Sequence, residues 1–93
     1  MQDSLFRLDG QVALVTGCRR GIGLAMADAL AEAGADIVGI SASLNPDSSE
    51  VGDAVRKRGR RFFGFRCELS DRDAVDRVLE EVLNRHPVID VLV

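Results

Sequence analysis

Three glycines stand directly after an apolar run. Val12-Ala13-Leu14-Val15 leads into Thr16-Gly17-Cys18-Arg19-Arg20-Gly21-Ile22-Gly23, and an apolar helical pattern follows at once. A buried parallel strand that ends in a tight turn and re-enters as a helix reads this way. The opening of such a helix leaves N–H groups without carbonyl partners and turns the positive end of the peptide dipoles outward. Glycine at the turn lets an anion come close to the backbone, so this spacing suits a phosphate. A bare strand-to-helix turn would need one glycine or two. No Gly-Lys-Ser/Thr follows, which disfavours a phosphate-loop NTPase.

The other side chains that can do chemistry have simpler readings. Cys18 lies near a helix start, where a thiolate is favoured, but a small residue fitting the turn accounts for it. Cys67 reads as a buried strand-end residue. His86 has no Cys, Asp or Ser partner arranged around it and reads as a surface histidine at a helix end. Arg56-Lys57-Arg58 with Arg60-Arg61 reads as a solvated helix C-terminus that offsets the dipole, in preference to a nucleic-acid patch. The two cysteines are far apart with no histidine cluster, so neither a disulfide framework nor a metal site is expected.

The elements that must hold the glycine turn follow from pattern. Asp9-Gly10 signals a turn before a first strand over 11–16. A helix over 21–33 carries a stripe of Ile22, Ala25, Met26, Ala29 and Leu30, expected to be buried, and Gly34 ends it. A second strand covers 37–41. Asn45-Pro46 marks a loop, and a helix over 47–58 follows, with Val51, Ala54 and Val55 inward and Gly59 as its stop. A third strand spans 62–67. Ser70 opens a third helix, with Asp73 near a capping-box position. Its stripe is Ala74, Val75, Val78, Leu79, Val82 and Leu83, and His86-Pro87 closes it. A fourth strand covers 89–93. This alternation implies a parallel α/β sheet of order 3-2-1-4, with the first two helices on one face and the third alone on the other. The fourth strand would leave a bare apolar edge.

Composition agrees with one small domain. Of 93 residues, 46% are hydrophobic and 29% charged, with a net charge of −3. That charge gives no general attraction to nucleic acid or to anionic lipid, so neither nucleic acid nor membrane is expected as a partner. The N-terminus lacks a secretion pattern and no apolar run approaches membrane-spanning length. A reducing, cytoplasmic setting fits the cysteine usage.

The Thr16-Gly17-x-x-x-Gly21-Ile22-Gly23 motif resembles that of the short-chain dehydrogenase/reductase family. The lead-in over 8–17 and the Cys67-Glu68-Leu69-Ser70-Asp71 turn are similar to that family as well. Within it, Thr16-Gly17-Cys18 and the segment 32–40 resemble members that act on sugar acids. The resemblance implies a Rossmann-type doubly wound parallel sheet, here cut after its fourth strand, with residues 1–93 as a partial NAD(P)-binding domain. It implies that Gly17, Gly21 and Gly23 pack against the cofactor pyrophosphate and that Ile22 donates its backbone N–H. Glu68 stands where the family usually has an aspartate touching the adenine amino group, and Leu69 would line the adenine pocket. Ser41 stands where an acid would hold the ribose hydroxyls and repel a 2′-phosphate. Arg20, with Arg19, would pair with a 2′-phosphate. The implied cofactor is NAD or NADP, with NAD favoured through the sugar-acid likeness. The complete protein is expected to be a homo-oligomer.

The family's catalytic serine, tyrosine and lysine cannot be carried onto this chain, which has no tyrosine and only one lysine, Lys57. Hydride transfer to a ketone needs a proton donor beside the carbonyl. The chain is therefore expected to be the cofactor-binding part of an oxidoreductase acting on a sugar-acid-like alcohol or ketone, a fragment or an incomplete gene product that is inactive alone. Competing readings are a non-catalytic nucleotide-binding module and the cofactor part of a transferase such as a methyltransferase.

Overall fold

The computed structural model describes residues 8–17, 21–45 and 49–93. Its elements run β1 (Val12–Thr16), α1 (Gly21–Glu32), β2 (Asp36–Ser41), α2 (Glu50–Lys57), β3 (Phe62–Arg66), α3 (Arg72–Arg85) and β4 (Val91–Leu92). All strand pairs are parallel, in the order β3-β2-β1-β4. The expected topology is thus found.

Alternation along the strands divides the core in two. Ala13, Val15, Ile37 and Phe62 face α1 and α2 and meet Ala27, Ala31, Val51 and Val55. Leu14, Val38 and Ile40 face the other way and meet Val82 of α3, with Phe63, Phe65, Val75 and Val78 packed around them. β1 and β2 are buried from both sides, which is why their sequences are continuously apolar. α2 lies close against β3: a Cβ at residue 52 would stand 2.9 Å from Ser49 Oγ and 3.1 Å from the Phe62 ring, so these side chains would have to shift to admit it.

Of the expected α1 stripe only Leu30 packs inward; the buried face is otherwise a different one. Ala27 and Ala31 are its buried residues, with Leu24 and Leu30 packed beside them. Ile22 is 83% exposed, Met26 is 36% exposed, and Ala25 and Ala29 also face outward. The helix is apolar almost all round, so two stripes with the same period compete. Small alanines let the helix axis approach Ala13 and Val15, and the stripe that permits the closer contact wins. In α3, Val82 is buried and Ala74, Val75 and Val78 pack inward, but Leu79 and Leu83 of the expected stripe are exposed.

Helix starts also shift. α2 begins at Glu50 with Ser49 as its cap, the hydroxyl accepting from Gly52 N–H at 3.0 Å. Such a cap contributes about 1 kcal/mol. α3 is capped by Asp71 and not Ser70, since Asp71 Oδ1 accepts from Ala74 N–H at 3.2 Å. The lead-in over 1–7 and the loop positions 46–48 lie outside the described residues.

β4 is shorter than expected and is latched at both ends. Val12 N–H donates to Asp90 Oδ2 at 2.9 Å while Asp90 N–H donates to Val12 O at 2.9 Å. At the far end Thr16 donates to Val93 O through both its N–H and its Oγ1, each at 3.1 Å. Ile89 leaves the strand to pack on the α3 side.

Candidate functional site: the C-terminal rim of the sheet

Parallel strands bring all their C-terminal ends to one rim, where ligands of open α/β sheets sit. β1 delivers Gly17, β2 delivers Ser41, and β3 delivers Glu68 and Leu69 just beyond its end. Backbone bonds tie these ends together. Gly17 N–H donates to Ile40 O at 2.9 Å, and Ser41 O accepts from Cys67 N–H at 3.1 Å and from Leu44 N–H at 3.4 Å.

The glycine turn has the conformation that its sequence demands. Gly17 has φ +60° and Gly21 φ +64°, in the left-handed region where a Cβ is disfavoured. A Cβ at either residue would find no protein atom within 4 Å. The glycines therefore serve backbone shape, and the space at each of their Cβ positions is open. α1 starts at Gly21 with no acidic residue in its first turn, and its opening N–H groups have no intrahelical acceptor. Ile22 is exposed beside them, and Gly23 is half-buried in the first turn. This arrangement fits an anion such as a pyrophosphate. Cys18, Arg19 and Arg20 lie outside the described residues.

The residues expected to meet ribose and adenine lie at the ends of the next two strands. Ser41 is half-buried at the end of β2. The turn after it is anchored by Leu44, whose side chain is fully buried in the α1–α2 core. Arg66 Nε donates to Ala42 O at 3.3 Å and ties β3 to the same turn. Glu68 is exposed; its backbone carbonyl accepts from Asp71 N–H at 3.0 Å, and its Oε1 from Ser70 N–H at 3.5 Å. Leu69 is 46% exposed, as an apolar wall of an open pocket would be. The rim thus gathers the described members of the expected set: Gly17, Gly21, Ile22, Gly23, Ser41, Glu68 and Leu69. Sequence reasoning missed Leu44 and Arg66. Period-two alternation along 62–66 was the available signal for Arg66, but its cross-strand partner required the register.

The other polar residues singled out in the sequence have structural surroundings. Cys67 is buried, as expected of a strand-end residue. His86 is not a plain surface histidine. Its ring stands edge-on to Phe63 at 4.5 Å, and Nε2 is buried with no hydrogen-bond partner among the described residues. Burial, then the neighbouring Arg61 and Arg85, hold its pKa below the ordinary histidine value. Four arginines of the basic run are paired: Arg56 with Asp53, Arg58 with Asp28 and Glu32, Arg60 with Asp9, and Arg61 with Asp36. The Arg58 hydrogen bond lowers the pKa of Asp28. An open cavity of about 430 Å³ lies between α1 and α2, lined by Asp28, Glu50, Asp53, Ala54, Lys57 and Arg58. It holds no rim residue, and of its charged walls Asp28 and Arg58 are paired with each other. Among the described residues no cluster suits a metal ion, and no helix is long and apolar enough to cross a membrane.

A four-stranded parallel sheet of order 3-2-1-4 with a glycine turn at its rim defines an α/β protein of the Rossmann type. The family model described as short chain dehydrogenase matches residues 11–93, and the chain belongs to that family. It is 54% identical over 88 residues to a 2-dehydro-3-deoxy-D-gluconate 5-dehydrogenase of Pseudoalteromonas atlantica, covering 95% of this chain and 35% of that protein. It is 40% identical over 90 residues to the protein of the same name from Escherichia coli, covering 97% of this chain and 34% of that one. Among solved structures, the carveol dehydrogenase of Mycobacterium avium in complex with NAD matches with a TM-score of 0.80 and 27% identity, over 92% of this chain and 35% of that chain. The chain spans about a third of the length of the curated relatives it matches.

Proposed function

We propose that this chain is the cofactor-binding part of an oxidoreductase that moves a hydride between NAD(P) and a sugar-acid-like alcohol or ketone. The observation that carries the reading is the pair Gly17 and Gly21, each left-handed with open space at its Cβ position, the second of them opening α1. Gly17, Gly21, Ile22 and Gly23 hold the pyrophosphate through backbone N–H groups and close approach. Arg20, with Arg19, belongs to the same motif and would pair with a 2′-phosphate. Ser41 meets the adenosine ribose, Glu68 accepts from the adenine amino group, and Leu69 covers the ring. When bound, the nicotinamide supplies or accepts the hydride. We assign no catalytic residue to this chain; its residues bind and orient. The sugar-acid class is supported by the names of the two dehydrogenases to which it is 54% and 40% identical.

Calorimetric titration of the chain with NADH, NADPH and S-adenosylmethionine tests the reading. Binding of a nicotinamide cofactor is expected. Binding of S-adenosylmethionine alone would move the chain to the transferases, and binding of none would leave the rim without a ligand.

A further inference from the structure

We propose that Arg66 makes the ribose end of the rim a receptor for a 2′-phosphate, so that the chain takes NADP as well as NAD. The inference rests on the cofactor reading above and goes against the lean towards NAD that the sequence alone suggests.

Ser41 and Arg66 are direct partners in the β2–β3 register. Side chains at paired positions of neighbouring strands leave the sheet on the same face. Two steps of alternation back, Ile37 and Phe62 are likewise partners, and both lie in the core that faces α1 and α2. Arg66 therefore leaves β3 beside Ser41, where a ribose-holding acid would stand if the site rejected a 2′-phosphate.

Three further observations fit that role. First, the hydrogen bond from Arg66 Nε to Ala42 O occupies only one of the guanidinium nitrogens and holds the group against the turn after β2. Second, Arg66 pairs with no carboxylate among the described residues, whereas Arg56, Arg58, Arg60 and Arg61 each do. A phosphate approaching Arg66 displaces no ion pair with a described residue. Third, Ser41-Ala42-Ser43-Leu44-Asn45 contains no acid and offers two hydroxyls. Buried Leu44 and the two N–H bonds to Ser41 O fix the shape of that turn in advance. A planar guanidinium already held by one nitrogen suits the oxygens of a monoester phosphate.

The test is calorimetric binding of NADP+, NAD+ and adenosine 2′,5′-bisphosphate to the chain and to Arg66→Gln, Arg66→Lys and Ser41→Asp, each checked for folding by circular dichroism. Arg66→Gln is expected to weaken NADP+ and the bisphosphate by about tenfold or more, the loss of a charged hydrogen-bond donor. NAD+ should stay within about twofold, since the lost group is exposed and NAD+ has no 2′-phosphate to meet it. Arg66→Lys should recover part of the loss. Ser41→Asp should act in the same direction, because the new carboxylate captures the guanidinium and repels the phosphate; it carries the test if Arg66→Gln does not fold. Equal weakening of NAD+ and NADP+ in these variants, or binding of NAD+ alone by the parent chain, overturns the inference and leaves the cofactor reading intact. Binding of neither nucleotide overturns both.

Discussion

Gly21 and Gly34 share a left-handed backbone but sit in opposite surroundings, and this separates folding from binding. Their φ values are +64° and +115°. An alanine at 21 would have no protein atom within 4 Å of its Cβ. Its effect on folding is then backbone strain alone, about 1–2 kcal/mol. For a domain of this size that corresponds to about 5–15 °C in Tm. An alanine at 34 would overlap the Asp9 carboxylate and stand 3.1 Å from Asp9 N. The side chain can swing away, but the backbone is pinned: Leu8 N–H donates to Ala33 O at 2.7 Å and Gln11 N–H to Leu8 O at 2.9 Å. Strain and displacement together come to about 2–5 kcal/mol. Thermal melts of Gly21→Ala and Gly34→Ala should therefore rank Gly34→Ala as the less stable. Titration with NADH should reverse the order. The methyl at 21 takes the space that a pyrophosphate needs above the turn and should cost more than about tenfold in affinity. Folded Gly34→Ala should bind as the parent does. A Gly21→Ala chain that binds NADH as tightly as the parent would refute the cradle.

Stability should depend on pH through His86. Its folded pKa lies below the unfolded one, so the stabilisation is present above the ordinary histidine range and is lost as pH falls through that range towards the lowered value. Urea midpoints should fall between pH 8 and pH 5, and His86→Phe, facing Phe63, should flatten that slope; an unchanged slope would point to another group. Asp90→Ala removes the acceptor of Val12 N–H and should cost about 1 kcal/mol, with faster amide exchange confined to 90–93. Exchange that rises throughout the sheet instead would mean that β4 is not a separately latched element. Leu83 is 50% and Leu92 71% exposed. The chain is expected to self-associate in sedimentation runs at rising concentration, and Leu83→Lys with Leu92→Lys should reduce this; association that the pair leaves unchanged would place the contact elsewhere.

The sequence by itself determined the order and type of every element, because strand and helix periods alternate cleanly and Gly34, Gly59 and His86-Pro87 mark the helix ends. It also determined the rim, since parallel strands have no other place to put the residues that follow Thr16, Ser41 and Arg66. Tertiary structure decided which apolar stripe turned inward. α1 offers Ile22 and Met26 as readily as Leu24 and Ala27, and only the closeness of β1 selects the small alanines. It decided the environment of His86, whose neighbour Phe63 comes from a strand more than twenty residues earlier. Above all it decided that Arg66 stands across from Ser41. Local patterns follow from the chain's own period, but a neighbour across a sheet depends on register, and register is fixed only when both faces of the sheet are packed.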